Sequence, residues 1–167
     1  MVEHYVLNNS CVSEQEEGKL KKRIEGFKKL AEGNLAPDFE APDLNGIMIH
    51  LKTLPFDLKI IFFWASTCPH CNAIMPDLER LYEKYRGKIE IIAVSVDTNE
   101  RELLQAINAK DLPWINIAEL QGWNGKIIQD YYVYATPTFI VLDQNLVILA
   151  KPMTIKELES ELGEMVK

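Results

Sequence analysis

Apolar residues change their spacing several times along the chain, and each change marks an element. Residues 58 to 64, LKIIFFW, and 89 to 96, IEIIAVSV, are almost continuously apolar. Short runs of this kind predict strands buried on both faces, as in the middle of a parallel sheet. Between them, over 69 to 86, Cys71, Ile74, Met75, Leu78, Leu81, Tyr82 and Tyr85 fall on one helical face. Pro69 suits the first turn of that helix, and Pro76 inside it predicts a kink. Asn99 to Lys110 predicts a further helix with Leu103, Leu104 and Ile107 inward. TFIVLD from Thr138 and LVILA over 146 to 150 predict a hairpin across Gln144 and Asn145. Thr154 and Glu157 then cap a last helix carrying Ile155, Leu158, Leu162 and Val166. The pattern over 111 to 135 is weaker: WINIA predicts a short strand, and Asn124 to Tyr132 a short helix.

Ahead of this lies a different pattern. Residues 13 to 32 predict an amphipathic helix with Leu20, Ile24, Phe27 and Leu30 on its buried face. Ser13 and Glu16 have capping-box spacing, and Gly33-Asn34 ends the helix. APDFEAPDLNGIMIHL follows, with Asn45-Gly46 placed to turn a hairpin. Residues 1 to 35 are therefore a helical extension, either the end of a preceding domain or a helix packed on the main one. Residues 36 to 167 form the main domain. Two buried strands joined by a crossover helix imply a right-handed parallel unit. With the closing hairpin they predict an α/β fold, a mixed central sheet with helices on both faces.

A chain of 167 residues with 47% hydrophobic and 26% charged residues is ordinary for one globular domain. Its formal net charge of −7 argues against nucleic acid as a partner. No apolar run approaches the roughly 20 residues that span a bilayer, so no direct membrane insertion is expected. MVEHYVLNNS carries no visible signal peptide.

The chemistry concentrates in WASTCPHCNAIMP, which holds two of the three cysteines. Cys68 sits where a buried strand ends and a helix begins, so unpaired N–H groups and the helix dipole favour its thiolate. Cys71 lies one turn in, on the apolar face. An exposed acidic thiol and a shielded one are the two parts of a dithiol exchange. A structural pair is the bland alternative. A metal site would need further ligands, and His4, His50 and His70 are not paired. His70, beside Cys68, is read as tuning the thiol pKa through its imidazole. Cys11 has nothing beside it to lower its pKa and is read as incidental.

FFWASTCPHC, the helix with Pro76, and ATPTFIVLD closely resemble the thioredoxin-like superfamily. APDFEAPDLNG and AVSVDTNERE are similar to its extracytoplasmic branch, the TlpA/ResA-like thiol–disulfide oxidoreductases related to the AhpC/TSA peroxiredoxins. The resemblance runs from about Ala36 to Lys167. It implies a thioredoxin-like fold and Cys68 as nucleophile with Cys71 resolving. It also implies a cis Pro137 opposite the pair, with Thr136 and Pro137 docking substrate. Trp64 is placed on the substrate side too, packing beneath the active-site loop. Two departures stand out. Phe62 occupies the position of the buried Asp of thioredoxins proper, and Ile74 that of a Glu frequent in the branch. Asp97 and Glu40 are weak substitutes, each read as a solvated surface acid.

The function expected is thiol–disulfide exchange with protein substrates, read first as a reductase, although Pro69-His70 is similar to the dipeptide of oxidising enzymes. The alternatives are a peroxiredoxin-like peroxidase and a metal-carrying, copper-delivery domain. No cofactor is expected beyond the redox-active disulfide Cys68–Cys71, and no metal. The partners expected are disulfide-bearing or dithiol proteins, plus a redox partner that resets the pair. The resemblance implies a periplasmic or otherwise extracytoplasmic location.

Overall fold

The computed structural model describes residues 13 to 166. Cys11 and His4 lie outside the described residues. In chain order the elements are α1 (Glu14–Lys29), β1 (Glu40–Pro42), β2 (Met48–His50), β3 (Leu58–Trp64) and α2 (Pro69–Lys84). They continue as β4 (Ile89–Ser95), α3 (Glu100–Lys110), β5 (Ile115–Ala118), α4 (Lys126–Asp130), β6 (Thr138–Asp143), β7 (Ile148–Ala150) and α5 (Ile155–Met165).

β3 and β4 pair in parallel from Leu58–Ile89 to Trp64–Ser95, and every residue of both is buried. This is what continuous apolar runs require, because each face of the sheet needs a cover. The five-stranded sheet has the order β5-β4-β3-β6-β7, with β5 parallel to β4, and β6 and β7 antiparallel to their neighbours. Alternate residues of β3 serve two cores. Ile61 and Phe63 meet Leu30, Ala41 and Ile49 together with Ile127 and Ile128 of α4. Ile60, Phe62 and Trp64 meet Met75 and Leu78 of α2, Leu103 of α3, and Leu158 and Leu162 of α5. Helices thus cover both faces of a mixed sheet, as expected.

Two local outcomes differ from the sequence pattern, while α2 continues as one helix past Pro76. The closing hairpin is wider than expected, because Asp143 Oδ1 accepts from the N–H groups of Asn145 and Val147 and Leu146 takes a positive φ of 68°. The Asn45-Gly46 hairpin forms, but β1 and β2 make a sheet of their own, joined to β5 by the Asp43–Ile117 bridge.

α1 starts at a complete capping box between Ser13 and Glu16 and packs on the main fold. Past its end, Gly33 donates to Ile148 O at 2.8 Å and Ala36 to Leu146 O at 2.8 Å, so this segment pairs along the outer side of β7. That covers an otherwise open sheet edge. Gly26 is the closest point of α1: a Cβ there would lie 2.6 Å from Tyr132 Cβ. Lys22 donates to Gln129 at 2.5 Å, and Tyr132 OH donates to Glu25 at 3.2 Å. Phe27, expected inward, is 72% exposed. The contact stripe runs through Gly26 and Leu30, and Phe27 stands about 100° around the helix from Gly26.

Candidate active site

β3 and β4 end side by side, so the turns after them share the carboxyl end of a parallel sheet, where such sheets gather functional groups. Asp97, just past β4, binds the turn after β3. Its Oδ2 accepts from Ser66 N–H at 2.9 Å and Ser95 Oγ at 2.5 Å, and its Oδ1 from Ser66 Oγ at 2.6 Å. Asn72 of α2 donates to Ser66 O at 2.9 Å from the other side. The turn that carries Cys68 is therefore held at both ends. Asp97 is buried, at 9% exposure; it anchors the loop and is not the solvated acid expected. Glu40 is an exposed acid, paired with His50 Nδ1 at 2.9 Å across the β1–β2 hairpin.

Cys68 is the N-cap of α2, with extended backbone at φ −77° and ψ 113°. Its sulfur accepts from Cys71 N–H at 3.3 Å, and its S–H donates to Thr136 O at 3.6 Å. Both cysteines are free thiols. Cys68 is half-buried, whereas Cys71 has no exposed surface and lies in the cluster with Trp64 and Met75. Burial is the strongest single influence on Cys68 and opposes its thiolate. Hydrogen bonds from Cys71 and from the His70 N–H outweigh it with their partners, holding Cys68 below the ordinary thiol range. Burial also dominates at Cys71, and here the hydrogen bond to Cys68 adds to it, so Cys71 is pushed up to about 12. The first sulfur ionises readily; the second keeps its proton and shares it with the first.

The remaining expected residues fall as follows. The Thr136–Pro137 peptide is cis, and Thr136 O faces the Cys68 sulfur. The His70 side chain is exposed, and the part of His70 that reaches Cys68 is its main-chain N–H. Trp64, expected on the substrate side, is wholly buried at 0% exposure, with its ring stacked on Phe62 at 6.3 Å. It supports the loop from beneath and offers substrate no surface, because it ends a strand whose every residue is buried. Phe62 packs against Phe139 at 4.9 Å, which fills the place of the missing acid with aromatic core.

Sequence patterning did not single out Ser66, Asn72 or Trp123, and it undervalued Asp97. Trp123 is 45% exposed and lines, with Cys68, Asp97 and Thr136, a groove of about 430 Å³. The available signal was the position of Ser95-x-Asp97 directly after a parallel strand that neighbours the cysteine strand. Among the described residues no three His, Cys, Asp or Glu side chains are grouped to hold a metal ion.

Comparison with known proteins agrees with this architecture. Residues 33–151 match the model of the AhpC/TSA family. The chain is 31% identical over 139 residues to the thioredoxin-like protein YneN of Bacillus subtilis, covering 80% of this chain and 79% of that one. It is 33% identical over 141 residues to the thiol-disulfide oxidoreductase ResA of Bacillus cereus, covering 82% and 80%. The thioredoxin domain of a thiol-disulfide oxidoreductase from Bacteroides vulgatus shares the fold with a TM-score of 0.75 at 24% identity, over 83% of this chain and 99% of that one. A thioredoxin-like protein from Bacteroides caccae does so with a TM-score of 0.77 at 22% identity, over 95% and 58%. A strand–Cys-x-x-Cys–helix unit facing Thr136–Pro137 at one end of a mixed sheet, together with these matches, settles the kinship: the chain belongs to the AhpC/TSA family and, within it, to the TlpA/ResA-like proteins of thioredoxin fold.

Proposed function

We propose that the protein acts as a reductase of disulfides in other proteins. It is a thiol–disulfide oxidoreductase, and the observation that carries the mechanism is the inequality of its two thiols. The Cys68 thiolate attacks one sulfur of a substrate disulfide. The substrate S–S bond breaks, a Cys68–substrate bond forms, and the first substrate thiolate leaves. Cys71 gives up its proton and attacks Cys68, displacing the second thiolate and closing the Cys68–Cys71 disulfide. Two electrons and two protons pass to the substrate, and a partner dithiol returns the pair to its reduced form. Thr136 and Pro137 serve in this reading as the dock for an extended substrate segment, supported by Thr136 O lying 3.6 Å from the Cys68 sulfur.

The reducing direction is supported by the limit that burial sets on the Cys68 thiolate, which hydrogen bonds still favour on balance. Strong oxidants draw their potential from a reduced form held by a very stable thiolate. The likeness to ResA supports an extracytoplasmic site of action, periplasmic in a cell with two membranes. No helix among the described residues is long and apolar enough to cross a membrane.

The test is trapping. Cys71→Ser should accumulate mixed disulfides with substrate proteins on non-reducing gels, whereas Cys68→Ser should form none. Equal trapping by both variants would sink the assignment of nucleophile and resolver.

A further inference from the structure

We propose that the groove between α1 and the loop leading into β6 receives the polypeptide beside the substrate's reacting cysteine, and selects substrates with a large apolar side chain there. The proposal rests on the reductase reading above and names the substrate class for that same site.

The groove encloses about 670 Å³ between Gly26 and Phe27 of α1, Tyr134 and Pro137 of the loop, and Met153 after β7. Its rim exposes Phe27 (72%), Tyr134 (44%) and Met153 (85%). Single exposed apolar residues are ordinary, but several around one concavity mark a binding surface. The first half of β6 lies along the groove, because β7 pairs only with Val141 and Leu142. Pro152 follows β7 and supplies no N–H with which to extend the ladder.

The position of this groove names its occupant. Pro137 lines it, while Thr136 lines the groove beside Cys68, so the two meet at one peptide bond. The Cys68 groove is mixed, with Asp97, Asn99 and Glu102 beside Ala65, Val96 and Trp123, whereas the α1 groove is mainly apolar. An extended segment bound at Cys68 therefore meets a mixed surface on one side of its cysteine and an apolar trough on the other. At about 3.3 Å per residue, the trough begins within two or three residues of that cysteine. Two rim cations are stacked on rings, Arg23 at 5.0 Å from Tyr134 and Lys151 at 5.5 Å from Phe27.

Three peptides test this, each with one cysteine held as a mixed disulfide with thionitrobenzoate. They differ only in carrying Phe two residues before the cysteine, Phe two residues after it, or Ser at both places. Attack by Cys68 releases the coloured thiolate, and Cys71 then frees the peptide. The readout is the ratio of second-order rate constants between Phe and Ser peptides, measured in a single turnover of the reduced protein, which cancels any change at Cys68 itself. One Phe peptide should react about tenfold faster, equivalent to about 1.4 kcal/mol. Phe27→Ser and Met153→Ser, both at exposed positions, should each cut that ratio to about threefold or less. Equal rates for all three peptides in the wild type would overturn the groove assignment while leaving the reductase reading intact. No colour release from any peptide would remove the reductase reading, and this proposal with it. A wild-type dimer that Phe27→Ser converts to monomer would give the groove to a second copy, and a ratio that rises on removing residues 1 to 12 would give it to that segment; either overturns the proposal.

Discussion

In Cys71 the thiol has no exposed surface and a raised pKa, whereas three residues earlier Cys68 reaches solvent and is lowered. The sign of the first shift has a consequence for stability. The unfolded chain loses the Cys71 proton near the ordinary thiol value of about 8.5, but the reduced fold keeps it up to about 12. Stability from this group is complete below the unfolded value and is lost as pH rises toward the folded one. The urea midpoint of the reduced wild type should therefore fall more between about pH 8 and pH 10 than that of Cys71→Ala. A second expectation concerns His70. Its main-chain N–H survives replacement by Ala, as do the contacts from Cys71. His70→Ala should therefore raise the Cys68 pKa only part of the way to the ordinary thiol range, seen as thiolate absorbance titrated against pH. A return to the full thiol value would make the imidazole the main source of activation.

Among the elements, the turn after β3 and the helix α1 depend on contacts far apart in sequence. Asp97→Ala removes three hydrogen bonds to a charged acceptor, and two of their donors belong to Ser66 in the turn that carries Cys68. Bonds to charged groups contribute about 1.5–3 kcal/mol each and do not add fully, so a loss of about 3 kcal/mol by urea unfolding is expected. Asp97→Ala should also slow Cys68 alkylation at neutral pH, because the turn no longer presents the sulfur to the α2 terminus. Gly26→Ala gains about 1 kcal/mol of helix propensity but forces a Cβ against Tyr132 at 2.6 Å. Overpacking costs about 1–3 kcal/mol, so α1 should lift off. Amide exchange should then quicken in α1 and stay unchanged in β3. Gly18→Ala in the same helix meets nothing within 4 Å and should be neutral or stabilising.

At the level of the molecule, the measurable property is the equilibrium potential of the Cys68–Cys71 pair. It should lie nearer the −270 mV of a reductase than the −120 mV of a strong oxidant, read from a glutathione or dithiothreitol titration. A value near −120 mV would reverse the proposed direction. The strands β3 and β4, the helix between them and the cysteine pair were all legible in the chain, because continuous apolar runs, helical spacing and Cys-x-x-Cys each carry a local physical meaning. The shape of the 111 to 135 stretch was less legible, because short elements such as α4 (Lys126–Asp130) owe their stability to the core they enter. Neighbouring residues alone did not reveal the exposure of Phe27, the burial of Asp97, or the groove beside Pro137. Each depends on which surfaces come together: a glycine that lets α1 approach Tyr132, a parallel register that sets Asp97 beside Ser66, and a β7 too short to cover β6. Local pattern specifies an element and its chemistry, whereas burial and the shape of a site are properties of pairs of elements, and so arise only when the chain has folded.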